Sequence, residues 1–145
     1  MSQILEPTYL FIDGGHLRQY YAEGVREWFG NEGEINFTFI KSRMAAFKLF
    51  YYDCLDDVKR SGESEEDYNE RVGKQEEQFD LIRSVVGAHV RRGSLTGKNE
   101  KKRRQKEVDI LLTVDMMNHA IRQNMKRAVL LAGDRRVSER LCKRQ

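Results

Sequence analysis

The stretch YLFIDGGHL, residues 9–17, decides how the rest of the chain is interpreted. Its aromatic and aliphatic residues run without a polar break into Asp13, which predicts a short buried strand over residues 8–13. Two glycines follow at once and end that strand. Beyond them, large apolar residues recur near helical spacing, so we expect a helix over residues 16–29.

Three later segments of similar composition predict three more buried strands, at residues 47–55, 87–95 and 127–133. An acidic loop that enters a helix precedes the second of these, and an amphipathic helix over residues 107–124 precedes the third. The segment INFTFIKSRMAAF, residues 35–47, begins as a strand and becomes a short helix. Strands that alternate with helices predict a parallel sheet covered by helices on both faces.

Length, charge and cysteine content indicate the general class of protein. Its 145 residues predict a single domain, residues 1–145, and its net charge of +3 is mild. Cys54 and Cys142 form no CxxC or Cys/His cluster, which argues against a zinc site and a disulfide framework. Without a signal-peptide pattern or an apolar run near the ~20 residues of a membrane helix, we expect a cytoplasmic protein.

Acidic residues mark the predicted carboxyl edge of the sheet, where open parallel sheets bind ligands. Asp13, Asp53 and Asp134 lie at the ends of predicted strands. Asp109 lies in the first turn of the predicted helix over residues 107–124. Clustered carboxylates repel one another, and oxygen ligands suit a hard cation such as Mg²⁺ or Mn²⁺. Two structural interpretations stand beside this one: Asp109 as a partner of the helix dipole, and Asp53 as a strand-end cap.

Five segments in order carry a family resemblance: FIDGGHL, LFYYD, RRGSL, QKEVDILLTVDMMNHAI and AVLLAGD. Together, over residues 9–134, they resemble the NYN domains of the PIN-like nucleases. The resemblance implies a three-layer α/β/α Rossmann-like fold with a central parallel sheet, and metal-dependent RNA cleavage. It also implies that Asp13, Asp109 and Asp134 are the catalytic acids and hold Mg²⁺ or Mn²⁺. Asp115 matches a family position too, but lies about 120° around the helix from Asp109 and is a secondary candidate.

Two features depart from the family pattern. The family has G-D-x-D-F after its fourth strand, whereas this chain has GDRRV, with Arg136 in place of the second acid. Arg136 could pair with Asp134, hold the scissile phosphate or repel the metal. The family also continues into a fifth strand, which we expect to be absent from a C-terminally short domain. A second copy, another partner or an ordered tail would then cover the open sheet edge, unless the reading frame is truncated or frameshifted.

The basic segment TGKNEKKRRQK, residues 96–106, is predicted to be a loop beside the site. Charge runs are usually solvated loops, but this placement favours contact with a phosphate backbone. The residues expected to contact RNA, most simply single-stranded RNA, are His16, Lys101, Lys102, Arg103, Arg104, Lys106 and Arg136. The first functional hypothesis is therefore a metal-dependent ribonuclease. The alternative is an RNA-binding or regulatory NYN module whose catalysis is weakened or lost.

Overall fold

The computed structural model of the chain describes residues 7–22, 35–93 and 101–132, and for residues 20–22 and 101–106 it describes the backbone alone. The described elements follow the chain in the order β1 (Thr8–Asp13), α1 (Gly14–Ala22), α2 (Phe37–Arg43), β2 (Lys48–Asp53), α3 (Glu65–Arg83), β3 (Ala88–Arg92), α4 (Lys101–Ile121) and β4 (Arg127–Leu131). None of these helices combines the length and the apolarity needed to cross a lipid bilayer.

The four strands form one parallel sheet in the order β3-β2-β1-β4. This confirms the α/β fold with a central parallel sheet flanked by helices, as the alternating sequence pattern predicts. The register places Asp13 of β1 beside Tyr52 of β2, and Tyr52 beside Arg91 of β3. All strands therefore end at one carboxyl edge, and these three residues form a row across it.

The side chains of β1 alternate between two hydrophobic cores. Tyr9 and Phe11 pack with Val108 and Leu112 of α4 on one face of the sheet, here called the α4 side. Leu10 and Ile12 of β1 pack on the other face of the sheet, here called the α1–α3 side, against residues of α1, α2 and α3. Because β1 is buried on both faces, its residues form the near-continuous apolar run that the sequence shows.

Two elements differ from the sequence-based prediction. The segment at residues 35–47 contains helix α2 and no strand, because the Asn36 side chain accepts a hydrogen bond from the Phe39 N–H at 2.9 Å and caps the helix. The basic residues predicted to lie in a loop, Lys101, Lys102, Arg103, Arg104 and Lys106, belong instead to the first turns of α4. Lysine and arginine are good helix formers, so they extend the amphipathic helix toward its N-terminus.

His119 of α4 is packed among aromatic rings on the α4 side. Its ring centroid lies 4.9 Å from that of Phe50 and 5.2 Å from that of Tyr9. Its Nδ1 lies 3.0 Å from the Asn124 side-chain amide. Burial lowers the pKa of His119 below its ordinary value, and the charge of Asp115 opposes that shift in part. His119 is therefore a packing residue in the aromatic core on the α4 side.

Replacing His119 with Phe should weaken the dependence of stability on pH. Because folding lowers the pKa of His119, its contribution is present above the unfolded pKa of about 6.5 and is lost as the pH falls below that value. The free energy of unfolding, measured by urea titration at about pH 7.5 and about pH 5, should fall less in the variant than in the wild type. The difference is bounded by about 1.4 kcal/mol per pH unit. An equal fall in both proteins would contradict a neutral His119.

Candidate functional site

The two strand-end acids of β1 and β2 share one sheet edge but face opposite layers. Asp13 and Asp53 are both buried. By the alternation of strand side chains, Asp13 follows Phe11 onto the α4 side. Asp53 follows Tyr51 onto the α1–α3 side. A ligand held by Asp13 on the α4 side is therefore separated from Asp53 by the sheet.

Asp53 is bound within an ion pair on the α1–α3 side. Its carboxylate accepts two hydrogen bonds from the Arg18 guanidinium of α1, one from each terminal nitrogen. It also accepts the Tyr51 hydroxyl at 2.9 Å and the Cys54 N–H at 2.8 Å. Burial, and then the charge of Asp53, raise the pKa of Tyr51, so this phenol stays a donor at any physiological pH. These contacts support the interpretation of Asp53 as a structural residue.

Gly14 makes this arrangement possible because it lacks a side chain. A Cβ at Gly14 would collide with the Tyr51 hydroxyl and lie 2.7 Å from Oδ2 of Asp53. The first turn of α1 therefore lies directly against the ion pair. The glycine after Asp13 is needed for this close approach at the strand–helix junction.

Asp13 caps the helix that follows it. Its Oδ1 accepts the backbone N–H of His16 at 3.3 Å, which is the bond of an N-cap residue to the third residue of a helix. A carboxylate at this position also interacts favourably with the helix dipole. The cap fixes the Asp13 side chain at the carboxyl edge of the sheet, and the backbone of His16 lies next to it.

Asp115 of α4 is held by two residues of the sheet that face the α4 side. It accepts the Tyr52 hydroxyl at 2.9 Å and Nε of Arg91 at 3.0 Å. Burial first, and then the hydrogen bond to Asp115, raise the pKa of Tyr52, so its hydroxyl also stays protonated. Arg91 thus supplies the cation beside Asp115, and the three side chains join α4 to β2 and β3.

Asp109 lies on the same side of the sheet as Asp13. Its neighbour Val108 packs so closely on the end of β3 that a Cβ at Gly93 would lie 3.1 Å from Cγ2 of Val108. This part of α4 is therefore at the carboxyl edge, and Asp109 itself is exposed there. The interpretation of Asp109 as a first-turn partner of the helix dipole is wrong, because α4 begins two turns earlier, at Lys101.

Two of the three acids expected to hold a metal lie within the described residues. Asp13 and Asp109 lie on the α4 side, whereas Asp134 and Arg136 are outside the described ranges. Within residues 7–22, 35–93 and 101–132, no group of three His, Cys, Asp or Glu side chains is close enough to hold one ion. A three-carboxylate site would therefore need Asp134 to join Asp13 and Asp109.

Sequence reasoning missed the residues that fix the acids. Arg18 and Arg91 each neutralise a carboxylate at the sheet edge, and Tyr52 joins α4 to the sheet. The alternation within the strand YYD, residues 51–53, was a usable signal, because successive side chains of a strand must face opposite layers. Identifying Arg91 as a partner of Asp115 also requires the register of β2 with β3, which places Arg91 beside Tyr52.

Comparison with known proteins gives no further assignment: no family model, no curated protein and no solved structure matches the chain. The resemblance to NYN domains therefore rests on the ordered motifs of the sequence.

Replacing Arg18 with Met should destabilise the protein by about 2 kcal/mol, because it leaves the buried Asp53 carboxylate without its cation. The loss stays below the ~3–5 kcal/mol of a fully buried pair, since Arg18 is 41% exposed. The double variant Arg18→Met/Asp53→Asn removes both charges and keeps an acceptor for the Tyr51 hydroxyl. It should recover at least half of the loss in a urea titration. A double variant no more stable than Arg18→Met would contradict the pairing.

Replacing Gly14 with Ala should lower stability by about 1–3 kcal/mol, because the new methyl group overpacks the junction against Tyr51 and Asp53. Gly73 of α3 is the matched control, since a Cβ placed there would meet no heavy atom within 4 Å beyond its own stretch of the helix. Gly73→Ala should raise stability by roughly 0.5–1 kcal/mol through helix propensity. Thermal unfolding of both variants tests the pair, and a stability loss of equal size in each would refute the steric argument.

Proposed function

We propose that this protein is a metal-dependent ribonuclease whose site lies at the carboxyl edge of the sheet, on the α4 side. The observation that carries the proposal is the placement of Asp13 and Asp109 on one face of one edge. Residues from β1 and α4, remote along the chain, are thereby brought to the place where open parallel sheets bind ligands. The family resemblance adds Asp134 as the third acid.

The donor chemistry of these residues fits a hard divalent cation. Carboxylate oxygens suit Mg²⁺ or Mn²⁺, and Asp13, Asp109 and Asp134 would hold the ion. When bound, such an ion polarises the phosphoryl group and lowers the pKa of water for attack on the phosphodiester. Asp13 is kept in place by its cap on α1. Asp115 is a weaker candidate ligand, because Arg91 and Tyr52 already bind its carboxylate.

The N-terminal turns of α4 are the proposed contact for the RNA backbone. Five basic residues occupy positions 101–106, within about two turns before Asp109 on the same helix. A phosphate held there would lie next to the carboxyl edge. His16, whose backbone is bonded to Asp13, and Arg136 are further proposed contacts. Such binding is independent of base sequence and sensitive to salt. The proposed substrate is single-stranded RNA, and the proposed location is the cytoplasm.

A second function, RNA binding without cleavage, is favoured by one contact. Arg91 pairs with Asp115, so one acid of the family motif is already neutralised by a protein cation. Arg136 in place of a further acid points the same way. A module of this kind would bind RNA with steep salt dependence and would neither cleave it nor bind Mn²⁺ tightly.

Asp13→Asn should abolish Mn²⁺-dependent cleavage of a labelled single-stranded RNA. The substitution keeps the size of the side chain and an acceptor for the His16 N–H, but removes the charge that a divalent ion requires. We expect the cleavage rate to fall by roughly 100-fold or more, beyond the effect usual for an outer-shell partner of a metal. The Mn²⁺ affinity, measured by calorimetry, should fall in parallel.

Asp80→Asn is the matched control, because Asp80 is an exposed carboxylate on α3 and forms an ion pair with Arg83, one turn away on the same helix. It should cleave RNA at the wild-type rate. Full activity in Asp13→Asn would exclude the proposed mechanism. RNA binding by the wild type with no cleavage in Mg²⁺ or Mn²⁺, and no Mn²⁺ heat, would select the second function.

A further inference from the structure

Helix α4 carries apolar residues on both of its faces. Val108 and Leu112 pack on the sheet. The opposite face bears a line of large apolar side chains that are 62, 46, 58 and 74% exposed, here called the α4 stripe: Ile110, Val114, Met117 and Ile121. A helix with two apolar faces is normally covered on both. The stripe is therefore a candidate contact surface.

The spacing and the surroundings of the α4 stripe fit a helix–helix contact. Steps of four, three and four residues are those of the a and d positions of a coiled coil. The positions within the stripe that correspond to e and g of a coiled coil are all uncharged: Leu111, Thr113, Asn118 and Ala120. Depletion of charge around an apolar centre is the compositional sign of a protein interface.

The α4 stripe is also complementary to itself. Its four residues are arranged symmetrically about the midpoint between Asp115 and Met116. A two-fold axis through that midpoint runs two copies of α4 antiparallel. Ile110 then lies opposite the partner's Ile121, and Val114 lies opposite the partner's Met117. Closed pairs of this kind use one patch on both subunits, and in an antiparallel pair a positions face d positions.

Charge selects the antiparallel orientation over the parallel one. A parallel pair would align the basic N-terminal turns of the two helices, residues 101–106, and repel. The antiparallel pair sends these turns to opposite ends of the contact. It also brings Asp109 level with the partner's Arg122, and it opposes the two helix dipoles favourably.

We propose that the protein forms a symmetric homodimer through antiparallel contact of the α4 stripes. The proposal does not depend on nuclease activity, and the contact uses α4 rather than the open edge of the sheet. One helix face is small for a stable interface, so the dimer is expected to be weak and concentration-dependent, with a dissociation constant on the order of micromolar.

Sedimentation of the full chain over a concentration series tests the dimer. The wild type should shift from monomer to dimer, whereas Met117→Glu should raise the dissociation constant at least tenfold by placing a charge in the stripe. Ile121→Lys is a second variant with the same expectation. Val86→Glu is the matched control, since Val86 is 84% exposed, lies just before β3 and should leave the dimer unchanged. Thermal unfolding checks that each variant is folded.

Cysteine cross-linking tests the orientation, in a Cys54→Ser/Cys142→Ser background that retains the wild-type sedimentation. A mixture of Ile110→Cys and Ile121→Cys proteins should form the mixed disulfide. Two copies of position 110 lie about 16 Å apart along the antiparallel pair, too far for a disulfide. A wild type that stays monomeric, a dimer unaffected by Met117→Glu and Ile121→Lys, or efficient cross-linking of position 110 to itself would each overturn the proposal.

Discussion

The alternation of side chains at the carboxyl end of β2 is the constraint on which the rest of the molecule depends. Tyr51 and Asp53 face the α1–α3 side, and Tyr52 between them faces the α4 side. Asp53 binds Arg18 of α1, while Tyr52 binds Asp115 of α4. Three consecutive residues therefore attach helices in both outer layers to one strand end. Asp13 caps the helix held by the first contact, and Asp109 lies on the helix held by the second.

The acids near the sheet edge are held by two kinds of contact. Asp53 and Asp115 each have an arginine and a tyrosine hydroxyl as partners. Asp13 accepts a backbone N–H at a helix N-terminus, a bond that stabilises a carboxylate without neutralising it. Both acids are buried ends of parallel strands, yet Asp53 takes part in an ion pair with α1, whereas the Asp13 carboxylate caps that same helix.

The sequence was sufficient to predict the architecture, because each strand and helix has its own local pattern of apolar residues and these patterns alternate along the chain. Buried apolar runs separated by helical patterns identify four parallel strands, and the structure confirms them. The start of α4 could not be predicted, since a run of lysine and arginine is compatible with both a solvated loop and a helix. The segment around Phe37 was ambiguous for a related reason: the deciding contact is a single cap at Asn36.

The site was predictable only to the level of the sheet edge. The topology places acids at this edge. The face on which each side chain lies depends on whether its position along the strand is odd or even, and its partners depend on the register between strands. Asp13 and Asp53 both end predicted strands, but the sequence does not show that Asp53 pairs with Arg18 whereas Asp13 caps α1. The placement of Asp134, and with it the full set of proposed ligands, remains a prediction of the family resemblance.

The strand order also determines how long one edge of β1 stays unpaired while the chain is being synthesised. Strand β1 is synthesised first, whereas β4, which pairs with one edge of β1 and places Arg127 beside Thr8, is synthesised last of the four strands. At roughly 5–20 residues per second, ribosomes leave that edge open for several seconds. An unpaired strand edge is a template for wrong partners. Nascent chains are therefore the species at risk of misassembly. The strand made first is the one whose second edge is paired last.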